Sequence, residues 1–177
     1  MKRSIYLWQL FGFGFTSLAG ILLHFLYDWT GKSVVAGLFS AINESTWEHM
    51  KLLFWPMFIF ACWQSLSFKD CENFWCIKMR GILLGLLLIP VIFYTYNGAV
   101  EKSPDWLNIS IFFLTAAIVY IYEARQLRSC STSVTTWCQS PEIAVILLIV
   151  IGVLFIVFTF KAPNIGVFED PLAARDL

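Results

Sequence analysis

Charge is what this sequence has least of. Only 14% of its 177 residues are Asp, Glu, Lys or Arg, against about 25% in soluble domains. Basic residues are no more numerous than acidic ones, so the formal net charge is zero. With no basic excess there is no electrostatic footprint for a phosphate backbone, which argues against a nucleic-acid partner. Histidine occurs only twice, at His24 and His49. No small-x-small cleavage site leads into a polar mature region, so the first apolar segment reads as an anchor and not as a removed leader. No internal repeat is evident, which lowers the case for a transporter built from inverted halves.

What is abundant is apolar. Hydrophobic residues make up 59% of the chain and aromatics 18%, and the mean hydropathy is +0.73. That composition excludes a soluble globular enzyme and a disordered tail. A membrane helix needs about 20 mostly apolar residues to cross roughly 30 Å of hydrocarbon. Five segments qualify, at 5–27, 46–66, 75–97, 106–124 and 142–160. Lipid cannot satisfy exposed backbone groups, so each is expected to be helical. The stretch 33–42 is too short to span and reads as a re-entrant or interfacial piece. The expected fold is all-α: residues 1–177 form a single transmembrane domain, a polytopic helix bundle with five spanning helices. Its surroundings are the lipid bilayer, and so small a bundle would act as a homo-oligomer if it were a carrier.

Helix starts are written into the chain. Ser45-x-x-Glu48 has the form of a capping box. Ser140-Pro141-Glu142 offers a cap, a proline at the first helical position and an acid in the first turn. Ser103-Pro104-Asp105 repeats that order. Gly81 and Gly85 put a small-xxx-small face on the third span, suited to close helix contact.

Sorting the charges by side predicts an orientation. With the N-terminus in the cytoplasm, seven basic residues fall inside (Lys2, Arg3, Lys69, Lys78, Arg80, Arg125, Arg128) and five outside. This is a modest positive-inside bias. Eight of the twelve acids fall outside, which sharpens the asymmetry. The expected topology is a multi-pass cell-membrane protein with its N-terminus cytoplasmic and its C-terminus extracytoplasmic. Cys71, Cys76, Cys130 and Cys138 then face a reducing compartment and are expected to be unlinked thiols.

Both histidines fall near the extracytoplasmic face, among carboxylates. His24 closes the first helix, four residues before Asp28, and residues four apart share a face. The segment Asn43-Glu44-Ser45-Thr46-Trp47-Glu48-His49 opens the second. Ionisable groups at membrane depth are expensive and are functional or paired. His24, Glu44, Glu48 and His49 together form a donor set suited to a divalent metal such as zinc. Glu48 and His49 would then act as the catalytic pair of a metal-dependent membrane hydrolase. The same groups would serve a proton relay or an acid/base pair, or a proton- or cation-coupled carrier. A third reading is structural: the cluster caps and orders the second helix, and the protein docks a partner without catalysis. Asp28, Asn97 and Asp170 are candidate supporting residues.

The signature Asn43-Glu44-Ser45-x-Trp47-Glu48-His49-x-Lys51, preceded by His24-Phe25-x-Tyr27-x-Trp29 and followed by Asp170-Pro171, resembles a family of small bacterial integral-membrane proteins of unknown function. The resemblance covers most of the chain. It implies a bacterial cell-membrane protein and implies no activity. The fifth span lacks histidine, which departs from the paired late-helix histidines of membrane ceramidase-like hydrolases.

Overall fold

A computed structural model describes residues 2–99, 105–128 and 140–170. Among the described residues the chain is helical throughout, with no strand. Five long helices, α1 (Lys2–Trp29), α3 (Thr46–Ser65), α4 (Phe74–Ala99), α5 (Asp105–Leu127) and α6 (Pro141–Phe160), make the bundle. A single turn, α2 (Val34–Gly37), lies between α1 and α3, and a 3-10 turn (Gly166–Phe168) follows α6. The expectation of one short, non-spanning piece at 33–42 corresponds to α2 and the loop after it. Among the described residues, three helices are long and apolar enough to cross a membrane: Ser4–Trp29, Phe74–Tyr96 and Pro141–Phe160. The helices α3 and α5 match the lengths expected from the sequence.

Ring and ion-pair contacts fix the helix directions. Trp8 and Trp63 pack at 5.7 Å between ring centroids, as do His24 and His49. The start of α1 therefore lies beside the end of α3, and the two run antiparallel. Arg128, just past α5, donates to the Tyr6 hydroxyl at 2.6 Å, so α5 is antiparallel to α1 as well. Lys78 near the start of α4 meets Glu123 near the end of α5. Trp47 at the start of α3 packs on Phe155 and Phe158 near the end of α6. One end of the bundle, here the upper end, thus gathers the end of α1, the start of α3 and the ends of α4 and α6.

The surface is apolar where it is helical. Leu7, Leu10, Leu18 and Ile21 on α1, and Ile143, Ile146, Ile149 and Val153 on α6, are exposed. Glu48, Lys51, Lys78 and Glu123, by contrast, are buried. A monomer in water rarely exposes such continuous apolar faces, whereas lipid favours them. The core between the helices is Leu53, Phe54, Met57, Phe60, Ile82, Val119, Leu148 and Phe155.

Two details differ from the expected helix starts. Ser45 Oγ does accept from the Glu48 backbone N–H at 3.3 Å. The return arm of the capping box is absent, because the Glu48 carboxylate accepts from the Ile42 N–H at 3.1 Å instead. The Ser45 N–H is satisfied by Asn43 Oδ1 at 3.0 Å. At α6, Ser140 has no capping hydrogen bond to the backbone, since its hydroxyl donates to the Glu142 carboxylate. The Ser103-Pro104 start lies outside the described residues. The cysteine expectation is overturned: Cys71 and Cys76 are disulfide-bonded, so these are not free thiols, while Cys62 is free and exposed. Cys130 and Cys138 lie outside the described residues.

Close approach of α1 to α3 and α5 depends on Gly12. A Cβ there would press into the rings of Phe60 and Tyr120, whereas Gly14 two residues on faces open space. Overpacking a tight core costs about 1–3 kcal/mol. Gly12→Leu is expected to lower the thermal unfolding midpoint of the purified protein by several degrees, and Gly14→Leu to leave it unchanged.

Candidate functional site

The upper end of the bundle is built around one buried ammonium. Lys51 is fully buried on the first turns of α3. Its Nζ lies 2.7 Å from Glu48 Oε2. It also donates to Gly37 O at 2.8 Å and to Thr159 Oγ1 at 2.9 Å. An ammonium has three N–H donors, and all three are used. The three acceptors come from α3, α2 and α6, so Lys51 ties three separate segments together. Such a pair is costly to break, because removing one partner strands the other charge away from water.

The loop between α1 and α3 is pinned by a second device. The buried Ser40 hydroxyl donates to Leu23 O and accepts from the Tyr27 N–H at 3.0 Å. In an undistorted helix the Tyr27 N–H would bond to Leu23 O. Ser40 therefore bridges the two backbone groups on either side of His24 and fixes that turn of α1 against the loop.

These supports present three side chains to one another. Glu44 lies between the two imidazoles: its Oε1 is 3.7 Å from His24 Nε2 and its Oε2 is 3.4 Å from His49 Nε2. All three side chains are partly exposed, at 30% for His24, 26% for His49 and 40% for Glu44. The Glu44 backbone is held in turn, its N–H donating to Asp170 Oδ2 at 3.4 Å. His49 Nδ1 sits 2.9 Å from Ser45 O. A carbonyl can only accept, so Nδ1 carries a hydrogen. The Nε2 facing Glu44 is then unprotonated in the neutral ring.

The structure thus brings together His24, Glu44 and His49, with Asp170 behind Glu44. It separates Glu48 from them. Glu48 follows the Lys51 side of α3 and, with 3% of its side chain exposed, is part of the scaffold. Asp28 is exposed, and no ion pair joins it to the described residues. Asn97 lies in α4, with its side chain outside the described residues. Among the described residues no group of three or more His, Cys, Asp or Glu is disposed to hold a metal ion.

Three contributors were not singled out from the sequence. Lys51 read as an outer-face charge, yet its spacing of three from Glu48 within the signature was the available signal. Thr159 and Ser40 carried no signal, since single hydroxyl residues in apolar runs are common. Trp47 and Trp55 are of a type that also anchors helices at membrane interfaces. They are internal instead: Trp47 is clamped by Phe155 and Phe168, and Trp55 packs against Phe39 and Phe54. Tyr94 serves the same end, donating to Gly166 O at 3.0 Å and so tying the 3-10 turn to α4.

A helical bundle with exposed apolar faces and, among the described residues, three helices apolar enough to cross a membrane is compatible with a membrane protein. The chain belongs to the family of unknown function DUF6512, which matches residues 1–176. No curated protein and no solved structure matches it.

Replacing Lys51 by Met should strand the Glu48 carboxylate. The expected loss is about 3–5 kcal/mol, the range for breaking a buried pair, seen as a lower unfolding midpoint. The double variant Glu48→Gln/Lys51→Met should lose less than Lys51→Met alone.

Proposed function

We propose that this protein is a five-pass membrane protein whose His24–Glu44–His49 group is an acid–base site, open to one membrane surface. The observation that carries the reading is the Glu44 carboxylate set between two imidazoles, 3.7 Å from His24 Nε2 and 3.4 Å from His49 Nε2. A proton held by either ring would have the carboxylate and the second imidazole as neighbouring holders. Partial exposure lets a substrate or solvent reach it, and imidazole with carboxylate is the pairing that general acid–base chemistry uses most.

Five passes follow from packing. The helices α3 and α5 run antiparallel between α1, α4 and α6 and are of similar length, so a slab crossed by the three apolar helices is crossed by all five. Their charges do not forbid it. Glu48, Lys51 and Glu123 point inward in ion pairs, and the outward face of α5 is Ile109, Leu114, Ile118 and Ile121.

For orientation we propose a cytoplasmic N-terminus, which places the site on the extracytoplasmic face. The basic residues support this. The disulfide-bonded Cys71 and Cys76 at the lower end oppose it, since disulfides persist in oxidising compartments. An Asp176→Cys variant decides: labelling by an impermeant maleimide in intact cells supports the N-in assignment, and protection there overturns it.

A second reading, in which the same three side chains take a divalent ion for a hydrolytic reaction, rests on their donor types. One experiment separates the two. In protein labelled with 15N-histidine, Glu44→Gln is expected to move the Nε2 signals of both rings, and two unmoved rings would overturn the acid–base site. Zinc titrated into metal-stripped protein should leave those signals in place. Stoichiometric retention, lost in His49→Ala, would establish the metal reading instead.

A further inference from the structure

The lower half of the bundle contains a second ionisable group that the upper site does not use. At the very end, Ile5, Phe74, Ile77 and Leu127 form an apolar layer. One helical turn inward on α1, α4 and α5 stand Gln9, Lys78 and Glu123. Another turn inward, Gly12 lies against Phe60 and Tyr120, and Gln64 stands one turn below Phe60 on α3. Four polar side chains from four helices thus share one layer between two apolar ones. Gln9, Gln64, Lys78 and Glu123 are all at least 96% buried.

Their hydrogen bonding is incomplete in a particular way. Lys78 Nζ reaches Glu123 Oε2 at 2.5 Å. Glu123 Oε1, and both ends of the Gln9 and Gln64 carboxamides, have no partner among the described residues. A buried acceptor left without a donor is expensive. The ammonium, by contrast, is doubly provided for. Besides Glu123 it lies 5.5 Å from the ring centroids of Phe60 and Tyr120 and 5.9 Å from that of Phe74. Aromatic faces stabilise a desolvated cation without a counter-ion.

We infer that Glu123 is an intramembrane proton-binding site, with Lys78 held as its permanent cationic neighbour by the three rings. In the step, Oε1 takes a proton from hydronium and releases water, the carboxylate becoming a carboxylic acid. Lys78 keeps its hydrogen bond to Oε2, now the carbonyl oxygen. The carboxamide oxygens of Gln9 and Gln64 in the same layer are unpartnered acceptors of the right kind, and the new O–H would turn toward one of them. The layer then carries one positive charge, and the aromatic cage is what tolerates it. Gly81 lets the carboxylate seat against α4, since a Cβ there would collide with it. The titratable groups facing the layer are Lys78 from α4 and Glu123 and Tyr120 from α5. Among the described residues, α1 and α3 present Gln9, Thr16 and Gln64 there, and Tyr120 is hydrogen-bonded to Thr16 at 2.7 Å. The buried residues of α6 are Ala144, Leu148, Gly152 and Phe155. This site is independent of the His24–Glu44–His49 group. It makes the bundle a protein that takes up a proton inside the membrane, as a proton-coupled carrier must.

The test is an infrared difference spectrum of the full chain in lipid vesicles, between acidic and alkaline buffer. The expected result is a carbonyl-stretch component of a protonated carboxyl, removed by Glu123→Gln and retained in Glu44→Gln and Glu48→Gln. Potentiometric titration should show one proton fewer taken up per chain in Glu123→Gln. If that variant does not fold, Gln64→Leu removes an acceptor while keeping the carboxyl, and should shift the frequency of the same component. Survival of every carboxyl component in Glu123→Gln, or an unshifted spectrum in Gln64→Leu, would overturn the proposal and leave Lys78–Glu123 a fixed ion pair.

Discussion

The need to satisfy a buried ammonium governs the upper half of this protein. Lys51 has no water to turn to, so each N–H must find an oxygen from the chain itself. One comes from its own helix, one from the carbonyl of Gly37 and one from the hydroxyl of Thr159. That demand settles where α2 sits, how far α6 runs alongside α3, and how Glu48 points. Because Glu48 also accepts from Ile42, the whole loop from α2 to α3 is held from one side chain pair. His49, next along α3 and about 100° further round the helix, then faces α1 and meets His24. The half-exposed site is a consequence of the fully buried pair beneath it.

The same rule recurs at the other end with a different solution. There the ammonium of Lys78 has a single carboxylate and three aromatic rings, where Lys51 has three oxygens. The two solutions differ in what happens when the acid is neutralised. Lys51 would lose its only charged partner, although two neutral acceptors would remain. Lys78 keeps a cation-binding cage. Between the two centres, α3 runs 13 residues from Lys51 to Gln64, about 20 Å at 1.5 Å per residue. That interval is filled by Leu53, Phe54, Met57 and Phe60, which insulate one polar centre from the other.

The parts of this arrangement legible in the sequence were those with a periodicity or a local signature. Five helices of membrane length follow from hydropathy alone. The cap at Ser45 follows from its spacing to Glu48, and the convergence of His24 with Glu44 and His49 follows from their placement at one end of the bundle. What was hidden depends on contacts distant along the chain. Thr159 matters to Lys51 across 108 residues, and Glu123 to Lys78 across 45. No spacing rule links such residues. The direction of the Glu48 side chain was hidden for the opposite reason. As a neighbour of His49 it seemed part of the site, but adjacent residues on a helix point in different directions, and Glu48 follows Lys51 inward. The disulfides at Cys71 and Cys76 were missed because the expected orientation was used to assign their redox state.

That orientation deserves a second weighing in light of the ion pairs. Lys51 and Lys78 entered the count of basic residues on opposite sides, yet neither faces a compartment. Setting both aside removes one basic residue from each side, and removing Glu48 and Glu123 with them takes one acid from each. The charge asymmetry is therefore unaltered by burial, and it rests on residues at the helix ends, where positive charge acts during insertion. The disulfides argue from a different physical quantity, the redox state of a compartment after folding. A bias of two basic residues is a small insertion preference, whereas a disulfide in a reducing compartment must resist continuous exchange with cellular thiols. With the N-terminus inside, Cys71 and Cys76 would have to meet that condition. With it outside, the His24–Glu44–His49 group would exchange protons with the cytoplasm, and Glu123, close to the opposite end, with the exterior. Either way the two ionisable groups stand toward opposite ends of the bundle, separated by the apolar middle of α3, so a proton taken up at one is insulated from the other and the two would titrate independently.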